Sequence, residues 1–197
     1  ELFLDTTFIL PFFQVPITVE GFELSDFKAL IANLSKVHVA ELSLYEAKEK
    51  LLRLSGARRG YEQALRAFGQ NLNVLRLDER FVFHNYTSDA DERFNQLLPS
   101  AKLLDAFDLL ILSEAFTVGE LLTEDEDFLI LRDSDQFAKS HLSKSIRIIR
   151  WKDIAGRKRT VKCPAKTGFM IDNDAPISGC LKVRVSPACA RLAVGRF

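Results

Sequence analysis

The 197 residues balance 27 Lys+Arg against 27 Asp+Glu, and 47% of them are hydrophobic. That length suits one packed domain of about 130–150 residues plus an appendage, and the composition excludes fibrous and low-complexity classes. No apolar run reaches the roughly 18 residues of a membrane helix.

The opening Leu2-Phe3-Leu4 is the short apolar run of a buried parallel strand, and it stops at Asp5. Asp5-Thr6-Thr7 then supplies capping side chains for a helix, and Pro11 and Pro16 break up the next stretch of chain. Asp5 also interrupts the apolar opening, with no basic stretch before it, which argues against a secretory signal. Ser25-Asp26 opens a helix with Phe27, Leu30, Ile31 and Leu34 at helical spacing. Val37–Ala40 reads as a second strand. Ser43–Leu54 is the clearest helix, carrying Leu44, Ala47, Leu51 and Leu54 on one stripe. A further helix is expected over Arg59–Phe68, ending at Gly69. Val74-Leu75 and Phe81–Phe83 are strand candidates, and Asp89–Leu98 reads as a helix stopped by Pro99.

Leu103–Val118 is a largely apolar helix closed by Gly119, with the strand Glu120–Leu122 after it. Ile146–Trp151 reads as the last strand. Strands and helices alternating in this way predict an α/β fold. We expect a three-layer α/β/α sandwich around a mostly parallel sheet of roughly five strands. From about Ala155 the texture changes to Gly, Pro, Ser, Lys and Arg without a helical stripe. The division expected is a domain over 1–152 and a basic tail over 153–197, the tail being short β structure or loosely ordered.

The neutral total hides a split. Residues 1–143 carry 14 Lys+Arg and 24 Asp+Glu, a balance of −10, whereas residues 144–197 carry 13 and 3, a balance of +10. An acidic body with a basic tail is either a solubility device or a polyanion site. Arg157, Lys158, Arg159, Lys162 and Lys166 form the densest positive stretch and are candidates for RNA phosphates. Three cysteines without paired spacing point to a reducing, cytoplasmic setting. Cys163, Cys180 and Cys189 lack the close pairs of zinc ribbons. His38, His84 and His141 read as isolated, and there is no glycine-rich phosphate loop.

The acids remain. Asp5 follows the first strand, and Asp125 follows Glu120–Leu122, so both arrive at one edge of a parallel sheet, where ligands gather. Glu46 lies in the helix from Ser43. Asp108 lies in an apolar helix, where an ionised acid is costly unless paired or bound to metal. Carboxylates without His or Cys fit Mg²⁺ or Mn²⁺ better than Zn²⁺. Asp105, one turn before Asp108, shares its face, and Asp127 is a second acid beside Asp125.

Four segments, in order, resemble the signature blocks of PIN-domain ribonucleases. They are Leu2-Phe3-Leu4-Asp5-Thr6-Thr7, Leu42-Ser43-Leu44-Tyr45-Glu46, Asp108-Leu109-Leu110-Ile111 with Ala115, and Leu122-Thr123-Glu124-Asp125 with Asp127-Phe128. The likeness covers about residues 2–150 and leaves out the tail. It implies a Mg²⁺- or Mn²⁺-dependent endoribonuclease in which Asp5, Glu46, Asp108 and Asp125 are the metal-binding, catalytic acids. Thr6, Thr123 and Asp127 would support them. Glu114 departs from the small residue the third block expects, and reads as an outward charge or an addition to the site. RNA is the partner implied, with no membrane. An antitoxin or other protein partner and a homodimer are left open. A toxin of a toxin–antitoxin pair competes with an RNA-processing enzyme, although a minimal toxin has no need of the tail. The reading from another class is a non-catalytic RNA-binding scaffold, against which the four acids speak.

Overall fold

The computed structural model describes residues 1–57 and 60–157. Five short strands, β1 (Leu2–Leu4), β2 (Val37–Ala40), β3 (Phe81–His84), β4 (Glu120–Leu122) and β5 (Arg147–Ile149), make one all-parallel sheet in the order β3-β2-β1-β4-β5. The chain builds outward from β1 to β3, then returns and builds the other way through β4 to β5. The reversal leaves β1 beside β4, with Leu4 opposite Leu122. The crevice at their carboxyl ends is the topological switch point where open α/β sheets take ligands.

Helices cover both faces, which is why β1 and β2 are buried along their whole length. Side chains alternate across the sheet. Leu2, Leu4, Val37, Val39, Phe81, Leu122 and Ile149 enter one core, built with α1 (Thr6–Ile9), α2 (Leu24–Asn33), α3 (Glu41–Ala57) and α4 (Tyr61–Leu77). Phe3, Ala40, Leu121 and Ile148 enter the other, built with α5 (Ser88–Leu97), α6 (Ala106–Ala115), α7 (Glu126–Asp133) and α8 (Asp135–Lys139). The expected three-layer α/β/α architecture is therefore present.

Aromatic side chains anchor the first core. Trp151 opens α9 (Trp151–Arg157) and is fully buried against Phe8, Phe22 and Phe27, at ring centroid distances of 6.2, 5.1 and 6.0 Å. Its Nε1 donates to the carbonyl of Gly21 at 2.9 Å. Gly21 adopts a positive φ of 67°, a conformation glycine reaches without steric cost.

Three sequence expectations need correction. The helix expected to stop at Gly69 runs through it to Leu77 and absorbs Val74-Leu75. Gly69 costs about 1 kcal/mol within a helix. That is less than the burial of Ala64, Phe68 and Leu75 returns, since those three share the inward stripe. The last strand is shorter than Ile146–Trp151, because the Arg150 amide donates to Asp153 Oδ2 at 2.9 Å and the chain turns into α9 at Trp151. The apolar helix expected over Leu103–Val118 is confined to Ala106–Ala115, since Asp105 caps its start and the chain turns after Ala115 towards Gly119 at φ 81°. No helix among the described residues is long and apolar enough to cross a membrane.

Candidate active site

The site grows out of two strand ends. Past Leu4 the chain stays extended for one residue, and Asp5 becomes the N-cap of α1, its Oδ1 accepting the Thr6 amide at 2.6 Å. The Asp5 amide in turn donates to the Leu122 carbonyl at 3.1 Å, which fixes the two strand ends to each other. Thr123, fully buried, donates its hydroxyl to Asp5 Oδ2 at 2.8 Å and accepts the Asp125 amide on the same oxygen at 3.0 Å. Thr6 donates its hydroxyl to Glu46 Oε2. A continuous polar chain therefore runs Glu46–Thr6–Asp5–Thr123–Asp125, joining α3, β1 and β4. The two threonines hold the acids apart and in register.

Asp125 caps α7 through the Asp127 amide, at 2.8 Å, and its own side chain reaches solvent. Asp127 thus contributes a backbone N–H to Asp125. Asp105 caps α6, accepting the amides of Phe107 and Asp108 at 2.8 and 2.9 Å. Asp108 therefore stands in the first turn of a helix, rather than in mid-helix as the apolar run implied.

Electrostatics groups these acids. Burial pushes the Asp5 carboxyl up to about 6; hydrogen bonds from Thr123 and Thr6 oppose the rise, and Asp125 and Glu46 add to it. Burial also raises Glu46, with Thr6 opposing and Asp105 and Asp125 adding. Asp108 is raised to about 7, by burial first and then by Asp105, Asp125, Asp5 and Glu46. All four acids of the resemblance, with Asp105, thus lie in one field of like charge. The donor set is carboxylate and hydroxyl oxygen, the chemistry Mg²⁺ and Mn²⁺ prefer, and a cation would relieve the repulsion. Asp5, Glu46, Asp108 and Asp125 are the residues that could hold one. Among the described residues, no three or more His, Cys, Asp or Glu side chains are drawn into a coordination set.

Other placements differ from expectation. Glu114 is not outward but 4% exposed, and its Oε2 has no hydrogen-bond partner among the described residues. Burial first, and Glu41 second, raise its carboxyl to about 7. Its neighbour is Glu41 at the start of α3, not Asp5. His38 and His84 are not isolated: adjacent strands bring His38 Nδ1 within 2.8 Å of His84 Nε2, and His38 Nε2 lies 3.3 Å from Glu1. Burial lowers the pKa of both. The register sets His38 opposite Val82 and Ala40 opposite His84, so the two rings meet diagonally across the strands, two positions apart, a contact that two isolated histidines in the sequence do not announce. Glu124 accepts from Arg150 Nε at 2.9 Å and from the Trp151 amide at 2.7 Å, and so seats α9. A shallow depression of about 390 Å³ lies at the opposite end of the strands, lined by Glu1, Gly119, Lys144 and Arg147. It shares none of the acids, and we assign it no part in their chemistry. The side chain of Arg157, all of Lys158, Arg159, Lys162 and Lys166, and the three cysteines lie outside the described residues.

No protein-family model and no curated protein sequence matches the chain. Among solved structures it is similar to VapBC2 from Rickettsia felis bound to a DNA fragment from their promoter. The TM-score is 0.49 and the identity 14%, over 76% of this chain and 98% of that one. A likeness at that level carries no argument about chemistry, so the functional reading rests on the residues.

Proposed function

We propose that the chain is a Mg²⁺- or Mn²⁺-dependent ribonuclease whose acids Asp5, Glu46, Asp108 and Asp125 hold the cation. The observation that carries this reading is the polar chain from Glu46 through Thr6, Asp5 and Thr123 to Asp125, at the switch point between β1 and β4. A structural role alone would not lead a fold to gather acids that raise one another's pKa at the carboxyl ends of two central strands. When bound, the cation supplies a water of lowered pKa and stabilises charge developing at phosphorus.

The protein's own part is preorganisation. Thr123 and Thr6 fix the carboxylates of Asp5 and Glu46 before any ligand arrives, so orientation is set in the fold rather than at the reaction. Asp108, raised to about 7, would give up its proton to water when a cation takes its place on the carboxylate. The substrate class comes from the four-segment resemblance together with the basic residues from Lys144 onward. The test is cleavage of single-stranded RNA by the full chain. Activity with Mg²⁺ or Mn²⁺, abolished by EDTA and restored by excess metal, supports the reading. Undiminished cleavage in EDTA overturns it, and His84→Ala and His141→Ala are expected to leave the rate intact.

A further inference from the structure

The segment Thr123-Glu124-Asp125 has a middle residue that the cation chemistry does not use. Its outer residues belong to the polar chain of the site: Thr123 Oγ1 donates to Asp5 Oδ2 at 2.8 Å and accepts the Asp125 amide at 3.0 Å. Glu124 turns instead into the corner between β5 and α9. Its Oε1 accepts the Trp151 amide at 2.7 Å, and its Oε2 accepts Arg150 Nε at 2.9 Å, with Arg150 Nη2 also at 2.9 Å. The Glu124 side chain is only 14% exposed, and a fork of this kind, with both partners ionised, is among the stronger hydrogen bonds.

The far end of this clamp is rigid. Trp151 is fully buried in the first core and its Nε1 donates to the Gly21 carbonyl at 2.9 Å, while the Arg150 amide donates to Asp153 Oδ2 at 2.9 Å. The near end carries Asp125, which is exposed, so packing around its own side chain does not locate it. Its bond to the Asp127 amide, at 2.8 Å, is local and moves with it. Two anchors remain, one on either side. Phe128, three residues on, is fully buried in the second core. Glu124, one residue before, is tied to the corner that Trp151 roots in the first core. Asp125 lies between them, and the Thr123 amide, donating to the Ile149 carbonyl at 3.0 Å, fastens the same turn to β5.

A hydrogen bond constrains both of its ends, so the contact that seats α9 also holds the turn from Thr123 to Asp125. Resting on the cation reading above, we propose that Glu124 is a positioning residue: its clamp on Arg150 and Trp151 sets the place of the Asp125 carboxylate relative to Asp5, and with it the affinity of the pair for a cation. Coordination distances tolerate only about 0.2 Å, so an exposed ligand needs its backbone held. Groups that orient metal ligands are worth about 10–100-fold in metal affinity. Arg150 neutralises Glu124 where it stands, so the role rests on geometry rather than on one more negative charge near the acids.

The test is Mn²⁺ calorimetry on the full chain at pH 8, at a temperature where every variant is folded, with melting temperatures measured alongside in EDTA. Glu124→Asp keeps the charge but falls one methylene short of its donors. Glu124→Gln keeps the length but offers one acceptor oxygen in place of two. Each is expected to weaken Mn²⁺ binding on the order of 10-fold. An acid acting by charge alone is spared in Glu124→Asp, so parent affinity in that variant overturns the proposal. Phe68→Leu, which makes none of these hydrogen bonds, should lower the melting temperature and keep the parent affinity; an equal loss there means that affinity merely follows stability, and also overturns it. Once Asp125→Asn is in place, Glu124→Asp should cost little more. The same 10-fold loss in that background shows that Glu124 does not act through Asp125, and the positioning role falls while the cation reading stands. A parent chain without saturable Mn²⁺ binding overturns the cation reading, and the positioning role with it.

Discussion

An acid in the first turn of a helix ordinarily gains from the helix dipole, yet Asp108 is raised to about 7. Partial burial and four neighbouring acids outweigh the dipole. The consequence is a measurable pH dependence. In the unfolded chain the group titrates near 3.9, so between about 4 and 7 the folded protein holds a proton the unfolded chain has released. Stability therefore falls as pH rises through that window, and the penalty is complete above pH 7. Asp108→Asn, measured in EDTA, is expected to raise stability at pH 8 by about 1–2 kcal/mol, the full shift being discounted for partial solvation. Below pH 4 the gain should vanish. Urea midpoints at the two pH values check this. A variant destabilised at pH 8 would make Asp108 an ordinary ion-pair partner. The same substitution should abolish RNA cleavage, so stability and activity move in opposite directions.

Among the elements, the strands are the most legible in the sequence, because residues buried on both faces are mostly apolar, His38 being the exception within β2. Leu2–Leu4, Val37–Ala40 and Glu120–Leu122 have the bounds their apolar runs suggest. Helix ends are less legible. Gly69 looks like a terminator locally, and only the inward stripe of α4 keeps the helix going past it. The α7–α8 pair escapes a sequence reading because it is short and the acids around it look like a solvated loop. In the candidate site, Asp5 and Asp125 can be placed by strand ends alone. The threonine bridge between them cannot, because it joins residues 118 positions apart. Glu114 defeats a sequence reading because neighbours set a side chain's burial, and an acid in an apolar helix gives no sign of which way it faces. Trp151 tests how firmly α9 belongs to the body. It is buried among Phe8, Phe22 and Phe27, so Trp151→Ala should cost about 3–5 kcal/mol. A urea midpoint shifted by less than the equivalent of about 1 kcal/mol would mean that α9 packs weakly.

For the molecule as a whole, the opposing charges of the two sequence regions divide the labour in this account. On the proposed function, the acidic body, at −10 over residues 1–143, would repel RNA, and the +10 of residues 144–197 would supply the affinity. Removing the partner of one phosphate should reduce the slope of log affinity against log salt by about 0.7 for a single strand. Arg157, Lys158, Arg159 and Lys162 changed together to Gln should weaken RNA binding and flatten its salt dependence, while the cleavage rate at saturating RNA stays near that of the parent. Affinities at several salt concentrations decide it; an unchanged slope makes the tail a solubility device.

Whether the acids act as one cation site is tested most directly by Mn²⁺ calorimetry on the full chain at pH 8 and pH 6. Asp5 and Asp108 are raised to about 6 and about 7, so a cation that displaces their protons should release protons at pH 6 and essentially none at pH 8. Saturable binding is expected, with buffer-dependent heat at the lower pH only and affinity reduced on the order of 10-fold or more in both Asp5→Asn and Asp108→Asn. Binding that both variants leave unchanged, or no saturable binding at either pH, would contradict one cation site.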